Sequence, residues 1–495
     1  MQQTLTFFIL VAGAALVALA ATVVMAGTVQ MASRRTHGYL HLIFYAMVIA
    51  AALGTLLSGR DLSFVDLNLE NGPAATVHPI MRWTQPLLSL LMLTVAGERI
   101  LSYWLRRENT VHVPLALLLS YIVFWLGSVA APALLGAHPN ISHDYAYPLV
   151  IGVAAVLVTR VERDMAFKAA RNVLFLFMTA SLLLIPLNPS LVLDTTYTQG
   201  LLSGVPRLAG LAVHPISMAI FCQLGLICLL TLPYKQKWLN RLAWGVGLTV
   251  LLLAQSKITW IAFILSWICI VAVRQGPSFL RRVGDPVRPE FGIVSILMVM
   301  LAVLAVGLVL MFGDLGTRIS IFFNSAEGAQ LASLTGRDKI WAIAYEEWQR
   351  NPVFGYGPLM WSSEFRISIG MPYATHAHNQ FMDTLSRSGT VGAVTLVIYG
   401  LVLMCLSLRY ARQSQGLTLA LFILLALRSI SEVPLSLFGY GPEFITHLLL
   451  LIALAAIARE AQSRKTHTTP VQPSFGLSST SYQAKNPLVT ARSLR

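Results

Sequence analysis

Apolar residues run through this chain in long unbroken blocks. They occupy roughly 5–27, 38–58, 82–104, 111–136, 146–159, 170–187, 210–232, 239–254, 257–273, 291–312, 389–408, 417–434 and 443–458. Most approach the ~20 residues that an α-helix needs to cross the hydrocarbon core of a bilayer. Within lipid, each backbone N–H and C=O must be satisfied inside its own segment, which selects helices over isolated strands. The pattern predicts an all-α polytopic membrane protein with about 12–13 transmembrane helices. Run 146–159 is short for a full crossing. Only Gln255 and Ser256 separate 239–254 from 257–273, so that pair reads as a tight re-entrant turn or one broken helix. The first run lacks a basic leader and is longer than a signal-peptide core, so it reads as a retained span.

Composition narrows the class further. Hydrophobic residues make up 56% of the 495 positions and charged ones only 11%, at mean hydropathy +0.69. A soluble domain carries about a quarter charged residues, so a cytosolic enzyme, a disordered protein and a nucleic-acid binder are excluded. The net charge of +14 is explained by where the cations fall. Arg34 and Arg35, Arg106 and Arg107, the Arg160, Arg163, Lys168 and Arg171 group, Lys235, Lys237 and Arg241, then Arg274, Arg281, Arg282 and Arg288, and finally Arg409 and Arg412 occupy alternate loops. By the positive-inside rule those loops and the C-terminal tail are cytoplasmic. The large loop 313–388 then faces outward. The chain divides into spans 1 to about 10 over 1–312, the outward loop 313–388, C-terminal spans over 389–460, and a Ser/Thr/Pro/Gln-rich tail, 461–495, expected to be disordered. The cysteines Cys222, Cys228, Cys269 and Cys405 all lie in apolar runs and read as small core or lipid-facing residues.

Polar chemistry concentrates in loop 313–388. Ile340, Ile343, Ala344 and Trp348 fall near helical spacing between Lys339 and Gln349, which predicts an amphipathic helix. Asn351-Pro352 and Gly355-Tyr356-Gly357-Pro358 stop it. This segment reads either as an interfacial connector or as a lid over a lipid-facing site. Next comes Thr375-His376-Ala377-His378-Asn379, with Gly389 and Gly392 opening the following span. Histidine is the natural general base near neutral pH. The H-x-H pattern also suits a metal clamp, with Asp383 as the local third ligand, or a structural interface.

Further cations lie at the outward face or inside spans. Arg207 precedes run 210–232, Lys257 starts a span after Ser256, and Arg337 follows Thr335-Gly336. A cluster of cations facing outward suits an anion, and the Arg fork suits phosphate. Arg428 lies within an apolar run, with Glu432 at i+4 as its expected partner. There is no G-x-x-x-x-G-K-[ST] loop, no dense outward carboxylate cluster for Mg²⁺ and no G-x-S-x-G elbow. Neither a cofactor nor a metal is therefore expected. A substrate already carrying a good leaving group satisfies both conditions. The other class that fits such a chain is a lipid-linked-glycan flippase or secondary transporter, which predicts polar residues spread through mid-membrane.

These motifs carry a resemblance. His378-Asn379, nine residues, Gly389, two residues, Gly392 resembles the H-[NSQ]-x9-G-x-x-G pattern of bacterial O-antigen ligases and related polysaccharide polymerases. Arg207-Leu-Ala-Gly-Leu211 is similar to their R-x3-L motif. Leu334-Thr-Gly-Arg-Asp-Lys-Ile-Trp341 with Asn351-Pro-Val-Phe-Gly-Tyr-Gly357 is similar to their large-loop signature. Ser256-Lys257 stands where the family is expected to carry Ser-Arg. The resemblance implies a GT-C-like glycosyltransferase in the bacterial inner membrane, with its site on the periplasmic side. It implies a polyprenyl-diphosphate-linked glycan donor and a sugar-hydroxyl acceptor, on lipid A-core or on another lipid-linked repeat. It implies His378 as base, His376 and Asn379 in support, and Arg207, Arg337 and Lys257 on the diphosphate. The partners are the bilayer, donor and acceptor, with no nucleic acid.

Overall fold

The computed structural model of the chain describes residues 19–31, 38–63, 81–105, 113–196, 202, 204–312, 337–372 and 374–468. The first part of run 5–27, residues 313–336 of the large loop and tail positions 469–495 lie outside them. In chain order the elements are α1 Leu19–Met31, α2 Leu42–Leu57, α3 Met81–Leu105, α4 Leu115–Trp125, a π-turn Leu126–Ala130 continuing into α5 Ala131–Leu135, α6 Ala146–Val156, α7 Arg160–Leu183 and the short α8 Pro189–Val192. A two-residue antiparallel pair follows, β1 Leu193–Asp194 with β2 Arg207–Leu208. Then come α9 Pro215–Thr231, α10 Lys237–Ala254, α11 Lys257–Val283, α12 Pro289–Phe312, α13 Arg337–Arg350, α14 Ser363–Ser368, α15 Gln380–Arg409, α16 Leu417–Ser431 and α17 Pro442–Thr468.

Each apolar run meets a helix, and the chain is an all-α polytopic membrane protein. Six helices among the described residues contain stretches long and apolar enough to cross a bilayer: Pro86–Trp104, Leu115–Leu135, Arg160–Leu183, Lys257–Val283, Gln380–Arg409 and Glu443–Gln462. The helix ends differ from the hydropathy boundaries on one side. Helix α7 starts at Arg160 rather than near 170, so the expected basic loop group lies on the helix. Helix α11 runs on to Val283, past Arg274 and Arg281. Helix α17 continues to Thr468, beyond the position where a disordered tail was expected to begin. Hydropathy marks where lipid ends, whereas a helix bearing Arg, Glu and Lys continues readily into water. Helices α10 and α11 are separate rather than one broken rod. Gln255 between them is left-handed at φ 50, and α10 packs on α9 and α7 while α11 packs on α16 and α12.

Helix α17 is the axis of the bundle. Leu448 through Ala458 are all buried, the mark of a helix apolar on every side. Cys222 and Cys228 are buried in α9, and Cys405 is exposed on α15.

A polar clamp ties four helices together at the end of the bundle away from the large loop. Thr159 and Glu162 form a capping box at the start of α7. The Glu162 carboxylate also accepts the Gly38 N–H at 2.8 Å and the Arg99 guanidinium at 2.9 Å, with both side chains 1% exposed. Arg99 and Arg459 each donate to the Leu157 carbonyl. Glu162→Ala strands the buried Arg99 charge, and we expect a loss of about 3–5 kcal/mol. Melting of the detergent-solubilised protein measures it. Replacing Arg99 and Glu162 together by Met recovers part of the loss, because the stranded charge goes with its partner.

Two devices shape the large-loop face. Pro132 lacks an N–H, which frees the Ser128 carbonyl one turn earlier. Ser388 Oγ donates to that carbonyl at 2.7 Å. Immediately after Ser388, α15 kinks at Gly389, whose φ of 63° and ψ of −163° break the helical geometry. The kink exposes backbone groups, and segment 352–357 takes them. Tyr356 N–H donates to Ser386 O and Gly357 N–H to Arg387 O, while Thr390 N–H donates to Pro352 O. The approach is so close that a Cβ on Gly389 would sit 2.3 Å from Val353 O, and one on Gly355 would sit 2.5 Å from Gly389 N. The glycines of the two sequence motifs are therefore the facing sides of one backbone strut.

Candidate active site

The strut holds the start of α15, and the histidine segment leads into that helix. Asn379 is its N-cap: Oδ1 accepts the Met382 N–H at 3.0 Å. Its Nδ2 donates to Ile430 O at 3.3 Å, which ties the segment to the end of α16. Ala377, fully buried, points into a small apolar cluster with Ile340, Ala344, Met360, Trp361 and Phe365. The two flanking imidazoles point the other way. The expected amphipathic helix is α13, and its buried Ile340 and Ala344 form one wall of that cluster. From the same helix Trp341 Nε1–H donates to Ala377 O at 2.8 Å. Asp383 Oδ1 accepts the Ala377 N–H at 3.1 Å, and its Oδ2 takes Arg387 Nε at 2.9 Å. Asp383 is thus a brace for the histidine segment, not a third ligand beside it. Trp341→Phe keeps the packing and removes the donor. We expect kcat to fall about tenfold with KM little changed, because misplacing a reacting group costs rate more than binding. Steady-state kinetics of glycan joining measure this.

His376 and His378 converge on Glu432. His376 Nε2 lies 3.3 Å and His378 Nδ1 3.5 Å from Glu432 Oε2, with the two rings 4.2 Å apart. The carboxylate is 7% exposed and each imidazole a little over a quarter. His378 has a φ of 49°, in the left-handed region that few non-glycine residues adopt. Strain of that kind persists only where surrounding contacts impose it.

The tautomers follow from the backbone. The His378 N–H donates to His376 Nδ1 at 3.1 Å, so a neutral His376 carries its proton on Nε2 and points it at Glu432. Partial burial and the neighbouring His378 keep the His376 pKa below its ordinary value, against the opposing pull of Glu432 and Asp383. Burial pushes the Glu432 carboxyl up, yet His378, Arg428 and His376 together outweigh it, and its pKa lies below the ordinary value. The carboxylate is charged at neutral pH.

The three ligand-type atoms lie within 4.8 Å of one another, close enough to raise the question of a metal. The donor set answers against it in this arrangement. A metal-bound imidazole presents a bare nitrogen and donates its other N–H. His376 Nδ1 instead receives an N–H, which leaves the proton on the nitrogen that faces Glu432.

Glu432 was expected to pair with Arg428, and it does not. Helix α16 ends at Ser431, and Glu432 turns out in extended backbone at φ −150°. Arg428 pairs instead with Glu443 at 3.1 Å. No local motif marks Glu432; its only signal is a carboxylate in an apolar run.

The expected cations are placed unequally. Arg207 is buried on β2 opposite Asp194, and its Nε donates to Ala254 O at 3.3 Å. Past a left-handed Gly210, the segment reaches His214, which caps α9 by accepting the Ile216 N–H. His214 stands within electrostatic reach of Arg207, Asp194, Glu432 and His378 and so joins Arg207 to the histidine cluster. No sequence motif marks it. Lys257 is exposed at the first turn of α11, beside the Ala254–Ser256 turn that Arg207 touches. Arg337 opens α13, one turn before Trp341. No side-chain contact ties Lys257 or Arg337 to the cluster among the described residues.

Residues 242–397 match the family model described as O-Antigen ligase. The matched segment holds Lys257, Arg337, His376, His378, Asn379, Gly389 and Gly392, while Arg207, His214 and Glu432 lie outside it. No curated protein matches the chain. The family match supports the O-antigen ligase and polymerase superfamily and a membrane glycosyl-transferring function of that type.

Proposed function

We propose that this chain transfers glycan from a polyprenyl-diphosphate-linked donor onto a sugar hydroxyl, at the periplasmic face of a bacterial inner membrane, without ATP or metal. The observation that carries the proposal is the convergence of His376 and His378 on the buried Glu432, with Arg207 and His214 alongside.

In this reading the charge of Glu432, 3.5 Å from His378 Nδ1, favours the proton on that nitrogen, which leaves Nε2 bare toward substrate. His378 Nε2 takes the proton of the acceptor hydroxyl as its oxygen attacks the anomeric carbon. The bond from that carbon to the diphosphate oxygen breaks, and the electron pair leaves on the diphosphate. A single displacement of this kind inverts the anomeric centre. The leaving group departs as an anion, so it needs cations rather than a general acid. Arg207, within electrostatic reach of His214 beside the base, and Lys257 and Arg337 supply the positive charge. His376 Nε2, 3.3 Å from Glu432 Oε2, helps to hold the carboxylate between the rings. Asn379 fixes the start of α15, and Gly389 and Gly392 permit the kink that aims it.

The test is purified protein in nanodiscs, given a polyprenyl-diphosphate oligosaccharide with either lipid A-core or a second lipid-linked repeat, with EDTA present. Joined product with inverted anomeric configuration supports the reading, and the acceptor consumed separates ligase from polymerase. Translocation of the donor without joining, using validated substrates, sinks it in favour of a flippase. Activity lost in EDTA and restored by zinc overturns the metal-free mechanism.

A further inference from the structure

A groove of about 380 Å³ lies between the large-loop ends of four helices. Met47, Ala50 and Ala51 of α2, Leu88 of α3, Phe221 of α9 and Ile445 of α17 form its walls. The size is within the range of about 300–1,000 Å³ usual for small-molecule sites. Two chain segments join the groove to the histidine cluster. Val213 lines it, and the next residue is His214. Gly441 lines it, and Glu443, two residues on, pairs with Arg428 in the electrostatic surroundings of Glu432. One cation lines the groove, Arg60. Its guanidinium donates to the carbonyls of Gly210, Leu191, Ala212 and Val213 and pairs with no carboxylate among the described residues. Burial lowers its pKa to about 10, so it is charged at neutral pH. An apolar groove with uncompensated positive charge fits an amphiphile that has an apolar chain and an anionic head.

We propose that this groove binds the first isoprenoid units of the donor's polyprenyl chain, with the diphosphate passing over Arg60 toward Arg207. The inference rests on the function proposed above and adds the donor's route to it. In such a donor only the diphosphate separates the reacting anomeric carbon from the lipid. The chain must therefore begin beside the catalytic base, and among the described residues this groove adjoins the cluster along two segments. The acyl chains of a lipid A-core acceptor are an entire oligosaccharide away from the reacting hydroxyl and have no need of this position.

Ala51→Trp and, separately, Leu88→Trp fill the groove without touching the histidine cluster. The assay compares a full-length polyprenyl-diphosphate donor with a butyl-diphosphate donor carrying the same glycan. We expect the ratio of their KM values to rise about tenfold or more, the equivalent of about 1.4 kcal/mol of lost chain binding. An unchanged ratio in variants that melt like wild type overturns the proposal, as does a rise in acceptor KM instead. A photoreactive benzophenone residue at position 50 gives a readout independent of catalysis. Labelling by full-length donor, competed by polyprenyl diphosphate, supports the groove. No labelling overturns it, even where joining is intact. Labelling without joining in the wild type keeps the groove and rejects the transferase reading.

Discussion

His378→Ala is expected to lower the rate of glycan joining by about 10²–10⁴-fold, the usual contribution of a positioned general base. Donor binding should survive, because Arg207, His214 and the proposed lipid groove are untouched. His378 sits at φ 49°, so the alanine variant also loses a residue that tolerates left-handed backbone. His378→Asn separates the two effects. Asparagine adopts that conformation readily and has no basic nitrogen. We expect it to be as inactive as the alanine variant and to melt like wild type. An asparagine variant that keeps more than about a tenth of wild-type rate gives up the base assignment, since a base contributes at least about 10². The measurement is single-turnover joining in nanodiscs.

Glu432→Gln carries the next largest effect. The substitution keeps the shape of the side chain and removes the charge to which both imidazoles turn. The amide also turns N–H donors toward the Nε2–H of His376, and that conflict disturbs both rings. Where a carboxylate holds a catalytic histidine in the right tautomer, its amide replacement costs orders of magnitude in rate. We expect kcat to fall about a hundredfold or more, with KM for donor changing far less. A variant within about threefold of wild type would reduce Glu432 to a structural partner. Glu432→Asp tests position as well as charge. The carboxylate withdraws by one methylene, and activity should fall between wild type and the amide.

These two residues were unequally visible in the chain. His378 announces itself, since a histidine followed by asparagine, in a polar loop, ahead of two glycines and an apolar run, is a compact local pattern. Glu432 misleads. Its spacing from Arg428 is that of a helical ion pair, and the pair would exist if α16 ran one turn further. Because the helix stops at Ser431, the carboxylate leaves the helical face and meets a loop more than fifty positions upstream. Asp383 misleads in the opposite direction. It lies five residues from His378 in sequence, but the first turn of α15 aims it at the Ala377 N–H and Arg387. His214 and Arg60 carried no motif. Each became notable only where the segment after β2 passes between the ends of α2 and α9.

The sequence by itself determined the membrane class, the helical architecture, the amphipathic α13 and the loop that bears the histidines. Each follows from patterns only a few residues to one span long, namely hydropathy over a helix length, helical periodicity, and a motif with its own cap. It also held both glycine motifs, although their partnership became visible only when Gly355 and Gly389 met backbone to backbone. The tertiary structure alone decided which carboxylate faces the imidazoles, that His214 stands beside them, and where the apolar groove lies. Those are contacts between segments far apart in the chain. They depend on where a helix happens to end and how it packs, and no local pattern of residue types encodes either.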